Sequence, residues 1–94
     1  MKAAEIATRA AELISGDRAQ AHGDMKDNFA RIAALWNAYL SDRLEPGSEL
    51  TAVDVGIFMA LLKIGRTQTG SLNPDDFVDG AGYIACAGEI ALRR

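Results

Sequence analysis

The stretch Asn73-Pro74-Asp75-Asp76-Phe77-Val78-Asp79-Gly80-Ala81-Gly82-Tyr83-Ile84 carries the sharpest boundary signal in the chain. Asparagine is a favoured N-cap, proline suits the first helical position, where its missing N–H is not needed, and two carboxylates in the first turn oppose the helix dipole. A helix is expected from Pro74 to about Leu92. At about 100° per residue, Phe77, Ala81, Ile84, Ala85, Gly88 and Leu92 share one stripe, which is read as the core face. Opposite lie Asp75, Asp79, Cys86 and Ile90, flanked by Gly82, Tyr83 and Glu89, a mixture too apolar for a plain solvated surface, so a second contact is implied there. Gly80, Gly82 and Gly88 each cost about 1 kcal/mol relative to alanine inside a helix, which suggests close backbone approach along this element.

Upstream of that helix, Thr51 and Asp54 resemble a capping box opening another helix. From Val53 to Ile64 it is apolar almost all round, with Lys63, Arg66 and Thr67 as its polar strip, so it is expected to be the central and most buried element, closed by Gly70. Before it, Glu45-Pro46-Gly47-Ser48 is turn chemistry. Asp24 as N-cap and Asp27 in the first turn start a helix to about Asp42, with Met25, Phe29, Ile32, Trp36, Tyr39 and Leu40 on its apolar face and Asn28 at the edge. The first segment, about Lys2 to Ser15, places Ala3, Ile6, Ala10, Leu13 and Ile14 on one face, has Glu5 and Arg9 as an i,i+4 ion pair, and stops at Gly16. Asp17 to Gly23 is polar and without apolar period, so it reads as a loop. The expected fold is all-α: four helices in one domain spanning residues 1–94, with loops near 16–23, 44–50 and 69–73.

Composition is consistent with that reading. The 94 residues are 49% hydrophobic and 24% charged, the balance of a globular domain rather than of a disordered tail. A net charge of −3 argues against nucleic acid as a partner, because neutralising phosphates needs a basic stripe. The single cysteine, Cys86, forms no internal disulfide and no Cys-rich zinc site, which suits a reducing compartment and makes the cytoplasm the expected location. Glu5, Arg9 and Glu12 interrupt the first apolar pattern, so export by a signal peptide is not expected. No run approaches the roughly 20 apolar residues of a membrane span. Abundant Gly and Ala, with the partly apolar outer face of the last helix, point to a homo-oligomer.

Several side chains are candidates for chemistry. Asp75, Asp76 and Asp79 fall within about one helical turn, a spacing able to hold Mg²⁺ through one or two carboxylates plus water and substrate phosphates; Asp75 and Asp76 also serve simply to complement the dipole. Asp79 lies beyond strong dipole compensation, so it needs a partner: a metal or ligand-bound cation, or a structural cation such as Arg18 or Lys63. Lys63 and Arg66 either reach an anionic ligand or pair with the acidic start of the last helix. Asp54 lies within an apolar face and also fits as a cap. His22, a lone loop histidine, is exposed or hydrogen-bonding by default and is able to bind phosphate. No P-loop, G-x-S-x-G elbow or H-E-x-x-H pair is present.

The run Arg18-Ala19-Gln20-Ala21-His22-Gly23-Asp24, with Asn28-Phe29 and Ile32-Ala33-Ala34-Leu35-Trp36, resembles an uncharacterised family of small helical domains common in phages and prophages. Asp54, the block Met59 to Arg66, and Asp75-Asp76 with Asp79-Gly80-Ala81-Gly82-Tyr83 continue the likeness over most of the chain. That family brings no function with it. In the order of its features the chain is also similar to phage nucleotide pyrophosphohydrolases of the MazG-like all-α type, through His22-Gly23-Asp24 to Asn28 and through Asp75 to Asp79. Such enzymes coordinate Mg²⁺ with E-x-x-E and E-x-x-D pairs. This chain has no E-x-x-E; Asp24 to Asp27 and Asp76 to Asp79 keep the spacing with shorter side chains.

The resulting expectation is a phage-type protein that binds a nucleotide or related phosphate ligand through His22, Asp24, Asn28, Lys63, Arg66 and Tyr83. Hydrolysis would use Mg²⁺ on Asp76 and Asp79, the metal neutralising phosphate charge and activating water, with Glu89 in reserve. The alternatives are a non-catalytic phage protein that inhibits a host or defence protein, and one that sequesters a signalling nucleotide. For a phage-encoded chain the compartment is the host cytoplasm.

Overall fold

In the computed structural model, which describes residues 1–16, 24–68 and 70–93, local chemistry places the helix starts as expected. Asp24 caps the second helix, its Oδ1 accepting from Lys26 N at 2.8 Å and Asp27 N at 3.2 Å. Thr51 and Asp54 close a reciprocal box, Thr51 N donating to Asp54 Oδ2 at 2.8 Å and Asp54 N donating to Thr51 Oγ1 at 3.4 Å. Asn73 Oδ1 accepts from Asp75 N at 3.0 Å. Each cap satisfies donors that the first helical turn leaves orphaned.

The described residues form four helices, α1 (Ala3–Ser15), α2 (Met25–Tyr39), α3 (Ala52–Arg66) and α4 (Pro74–Leu92), with no β-strand among them. The fold is all-α. α2 ends at Tyr39, before the expected Asp42, and 40–43 continue as turns. Gly47 and Gly70 adopt φ of +87° and +68°, conformations that favour glycine, and so close the turn before α3 and the stop after it. No helix among the described residues is long and apolar enough to cross a membrane.

α3 is central, packing on both α2 and α4, while α1 packs principally on α4. α3 and α4 run antiparallel: Gly56 meets Ala87, and towards the other end Lys63 lies beside Gly80. A Cβ added at Gly56 would sit 2.8 Å from Ala87 Cβ and 3.2 Å from Phe29 Cε2, so this glycine lets two backbones and an aromatic ring meet. Around it Phe29, Ala33, Val55 and Ile90 form the core, with Trp36, Met59 and Tyr83 packed against it. Trp36 stacks on Phe58 with ring centroids 5.9 Å apart. Asn37 ties α2 to the approach of α3, its Nδ2 donating to Leu50 O at 2.9 Å while its Oδ1 accepts from Leu50 N at 2.8 Å.

Two expectations from the helical wheel are corrected. On α4 the stripe of Phe77, Ile84, Ala85 and Leu92 is exposed, with Ala81 and Gly88 half-buried, whereas Asp76, Val78, Ala87 and Ile90 are buried. The wheel held two apolar stripes. The Gly56 contact and two ion pairs described below choose between them, and both are tertiary. The close approach expected at Gly88 is also absent, since nothing lies within 4 Å of a Cβ added there. α3, although apolar nearly all round, buries only Val55, Gly56 and Ala60 fully and leaves Leu61, Leu62 and Ile64 more than half exposed.

Candidate functional site

Among the described residues a cleft of about 490 Å³ is bounded by α1, α2 and α4. Amphipathic spacing builds its walls. On α1, Ala10, Leu13 and Ile14 fall on one face, and on α2 Met25, Phe29 and Ile32 do the same. The floor is α4, where Val78 and Gly82 lie side by side one turn apart. Gly82 keeps the floor low: a Cβ added there would reach the Ile14 side chain only at 3.9 Å.

Polar groups enter this apolar cleft at a few places. Asp79 and Tyr83, four residues apart on α4, both line it, as do Asn28 and Arg31, three apart on α2. Arg31 Nη1 donates to Asn28 Oδ1 at 3.4 Å, and the ring of Tyr83 lies 6.4 Å from that of Phe29. The Cys86 thiol completes the floor.

The two carboxylates expected to hold a metal are each engaged by a cation from α3. Lys63 Nζ lies 3.2 Å from Asp79 Oδ2, both side chains largely buried, and Arg66 Nε lies 3.2 Å from Asp76 Oδ1, with the carboxylate buried and the guanidinium more than half exposed. Lys63 and Arg66 thus both pair with the acidic start of α4. Spacing brings Asp76 and Asp79 to one side of α4, but only Asp79 borders the cleft. A Mg²⁺ site of this kind takes one or two carboxylates and completes its shell with water and phosphate. Among the described residues no three His, Cys, Asp or Glu side chains stand close enough to share one metal ion.

The expected ligand residues therefore divide. Asn28 and Tyr83 line the cleft, and Asp79 joins them there from the expected metal pair. Lys63 stands behind Asp79, Arg66 lies away from the cleft on Asp76, and Asp24 is a helix cap. Asp54 is likewise a cap. His22 and Arg18 lie outside the described residues. Sequence reasoning missed Arg31; the only available signal was its i,i+3 relation to Asn28.

The comparisons agree with the helical resemblance. Residues 5–91 match the model of a family described as a domain of unknown function, DUF6378, and the chain belongs to that family. It is similar to the gene 55 protein of Mycobacterium phage L5, 47% identical over 87 residues, which cover 93% of this chain and 53% of that protein. It is also similar to the gene 55 protein of Mycobacterium phage D29, 35% identical over 85 residues, covering 90% of this chain and 52% of that protein. The chain thus spans about half the length of the curated relatives it matches. No solved structure matches.

Proposed function

We propose that this member of the DUF6378 family is a binding module that takes a nucleotide or related phosphate-bearing small molecule in the cleft between α1, α2 and α4. The observation that carries this reading is the cleft itself: about 490 Å³, walled by aliphatic and aromatic side chains, with a small set of polar groups at its edges. Small-molecule sites have volumes of about 300–1,000 Å³ and combine an apolar lining with a few orienting polar groups. A nucleotide is matched to both parts. Its base is flat and apolar-faced, suited to the space between Phe29, Ile32 and Leu13. Asp79 is placed to accept from an amino or hydroxyl group. Arg31, exposed on α2, offers a forked donor to phosphate.

Binding without turnover is favoured over hydrolysis, because Lys63 and Arg66 already occupy the carboxylates that a catalytic Mg²⁺ would need. Sequestration of a nucleotide fits this better than cleavage. The second reading, a protein that inhibits a host or defence protein, rests on Leu35, which lines the cleft yet is 65% exposed and so offers an apolar contact to a partner helix.

Thermal melts against nucleoside mono-, di- and triphosphates, with and without Mg²⁺, separate these readings. A ligand at about 100 times its Kd adds about 2.7 kcal/mol to stability, and about 4–8 °C of Tm follows each kcal/mol in a domain of this size. Arg31→Ala is expected to weaken that response, and Gly82→Met to abolish it by filling the cleft, while both variants keep helical circular dichroism. Phosphate release accompanying the shift would restore hydrolysis. A flat response to every nucleotide would reject the proposal in favour of a protein partner.

A further inference from the structure

Among the described residues that line the cleft, Asp79 is the one anion and Arg31 the one cation. They stand on different elements, Asp79 on the α4 floor and Arg31 on the α2 wall, with Leu13, Phe29 and Ile32 supplying apolar lining. The two charges are also held differently. Asp79 is braced from α3: Lys63 Nζ lies 3.2 Å from its Oδ2, and the two side chains are only 16% and 18% exposed. Lys63 itself does not line the cleft, so what it presents to a ligand is the position of the carboxylate. Arg31 is exposed, and its Nη1 donates to Asn28 Oδ1 at 3.4 Å. A planted acceptor on the floor thus faces an open space that has a forked donor at its edge.

We propose, resting on the reading of the cleft as a nucleotide site, that it selects guanine nucleotides and that Asp79 is the residue that selects them. The carboxylate accepts from N1–H and N2–H of the base, Lys63 positions that carboxylate, and Arg31 takes the phosphate.

Fixed polarity is what makes Asp79 discriminate. The Tyr83 hydroxyl and the Asn28 amide each donate or accept, and so suit the edge of any base, whereas an ionised carboxylate only accepts and takes paired donors side by side on its two oxygens. Each carboxylate oxygen has more than one lone pair, so the approach of Lys63 to Oδ2 is compatible with a second donor there. Guanine presents two neighbouring donors, N1–H and N2–H. Adenine and cytosine set a ring-nitrogen acceptor beside their amino group, and uracil flanks its N3–H with carbonyls, so each would turn an acceptor toward the carboxylate. Because Asp79 is largely buried, such a mismatch costs more than a missing contact at an open surface. The same acceptor-only character turns a phosphate away from the floor. The direction of the ligand follows, with the base on α4 and the phosphate at Arg31, whose guanidinium fork matches its oxygens.

Calorimetric titration of the 94-residue chain with guanosine, inosine and adenosine 5′-monophosphates, in the absence of Mg²⁺, tests the assignment. Inosine differs from guanosine only in lacking the 2-amino group, and adenosine replaces both donors. The wild-type protein is expected to bind guanosine monophosphate at least about tenfold more tightly than inosine monophosphate, and adenosine monophosphate more weakly still. Asp79→Asn, checked for its helical circular dichroism, is expected to shrink the guanosine-to-inosine ratio to within about threefold, since an amide offers one acceptor in place of two. Arg31→Ala is expected to weaken all three ligands alike and leave the ratio unchanged, which separates the base contact from the phosphate contact. If Asp79→Asn does not fold, the three ligands on the wild-type protein decide. Adenosine and guanosine monophosphates bound equally well would overturn the inference and leave the cleft standing as a nucleotide site. So would a folded Asp79→Asn protein with an undiminished ratio. Binding of none of the three would overturn both.

Discussion

Gly56→Ala is a stringent test of how α3 and α4 meet. An alanine methyl there would sit 2.8 Å from Ala87 Cβ, 3.2 Å from Ala87 Cα and 3.2 Å from Phe29 Cε2, against about 3.5–4.0 Å for ordinary carbon contacts. Two of these neighbours belong to the Cα–Cβ unit of another helix and cannot turn aside, so the helices must separate by up to about 1 Å. Overpacking of this kind costs about 1–3 kcal/mol. Replacing a helical glycine by alanine returns about 1 kcal/mol, which leaves a net loss of about 1 kcal/mol and a Tm lower by roughly 4–8 °C. Gly80→Ala is the control, because its added Cβ meets Lys63 Cβ at an ordinary 3.6 Å, so the propensity gain is expected without the penalty. Combining Gly56→Ala with Ala87→Gly removes the shortest contact, and the double variant should lose at least about 0.5 kcal/mol less than the two single losses together. Urea and thermal unfolding at one fixed protein concentration measure all four variants. A Gly56→Ala protein more stable than wild type, or strict additivity in the cycle, would refute this account of the packing.

Other perturbations probe the remaining contacts. Asn37→Ala leaves the N–H and C=O of Leu50 without their side-chain partner, and a loss of about 1–3 kcal/mol in urea unfolding is expected; no change would show the tie to be dispensable. Arg66→Ala strands the buried Asp76 carboxylate; because Arg66 itself is open to solvent, the cost is expected at about 1–3 kcal/mol, below that of a fully buried pair. Asp79→Asn removes the charge facing Lys63 and is expected to lower Tm as well as any ligand affinity; an unaltered Tm would show that Lys63 is not its structural partner. Glu49 has its carboxyl held below the usual value of 4.5 by its own backbone N–H and then that of Gly47. Its contribution to stability is therefore present above the ordinary glutamate pKa and is lost as pH falls through the lowered one. Carboxyl NMR titration of the wild type should show the Glu49 carboxyl below 4.5, and a value at or above 4.5 would refute the two backbone hydrogen bonds.

The parts of this structure legible in the sequence are those decided within a few residues. Asp24, Thr51 with Asp54, and Asn73 are caps because their short polar side chains reach N–H groups two or three positions on. Gly47 and Gly70 end turns because a left-handed conformation suits glycine. The inward face of α4 was not legible, because either of its two apolar stripes satisfies the wheel and the choice is made by Gly56 on another helix and by Lys63 and Arg66 reaching across. The candidate site divides in the same way. Asn28 and Tyr83 are polar residues at the flanks of apolar stripes, Asp79 is a carboxylate beyond the reach of strong dipole compensation, and all three border the cleft. Arg31 resembles any surface arginine until α1 and α4 are placed around it, and Asn37 is recognisable as a tie only when Leu50 is brought beside it.

α1 contributes a single buried side chain, Ala10, and packs principally on α4, some sixty residues or more further along the chain. Its docking therefore closes the longest loop in the molecule and gains little apolar burial in return, whereas α2, α3 and α4 share the core among themselves. Local opening is least costly where buried contacts are few. Amide hydrogens of α1 should thus exchange first, through an opening that leaves the rest of the helices folded. Since α1 is also one wall of the cleft, the free energy of that opening sets how readily a ligand enters, and a bound ligand that touches Leu13 or Ile14 should slow exchange along the whole of α1.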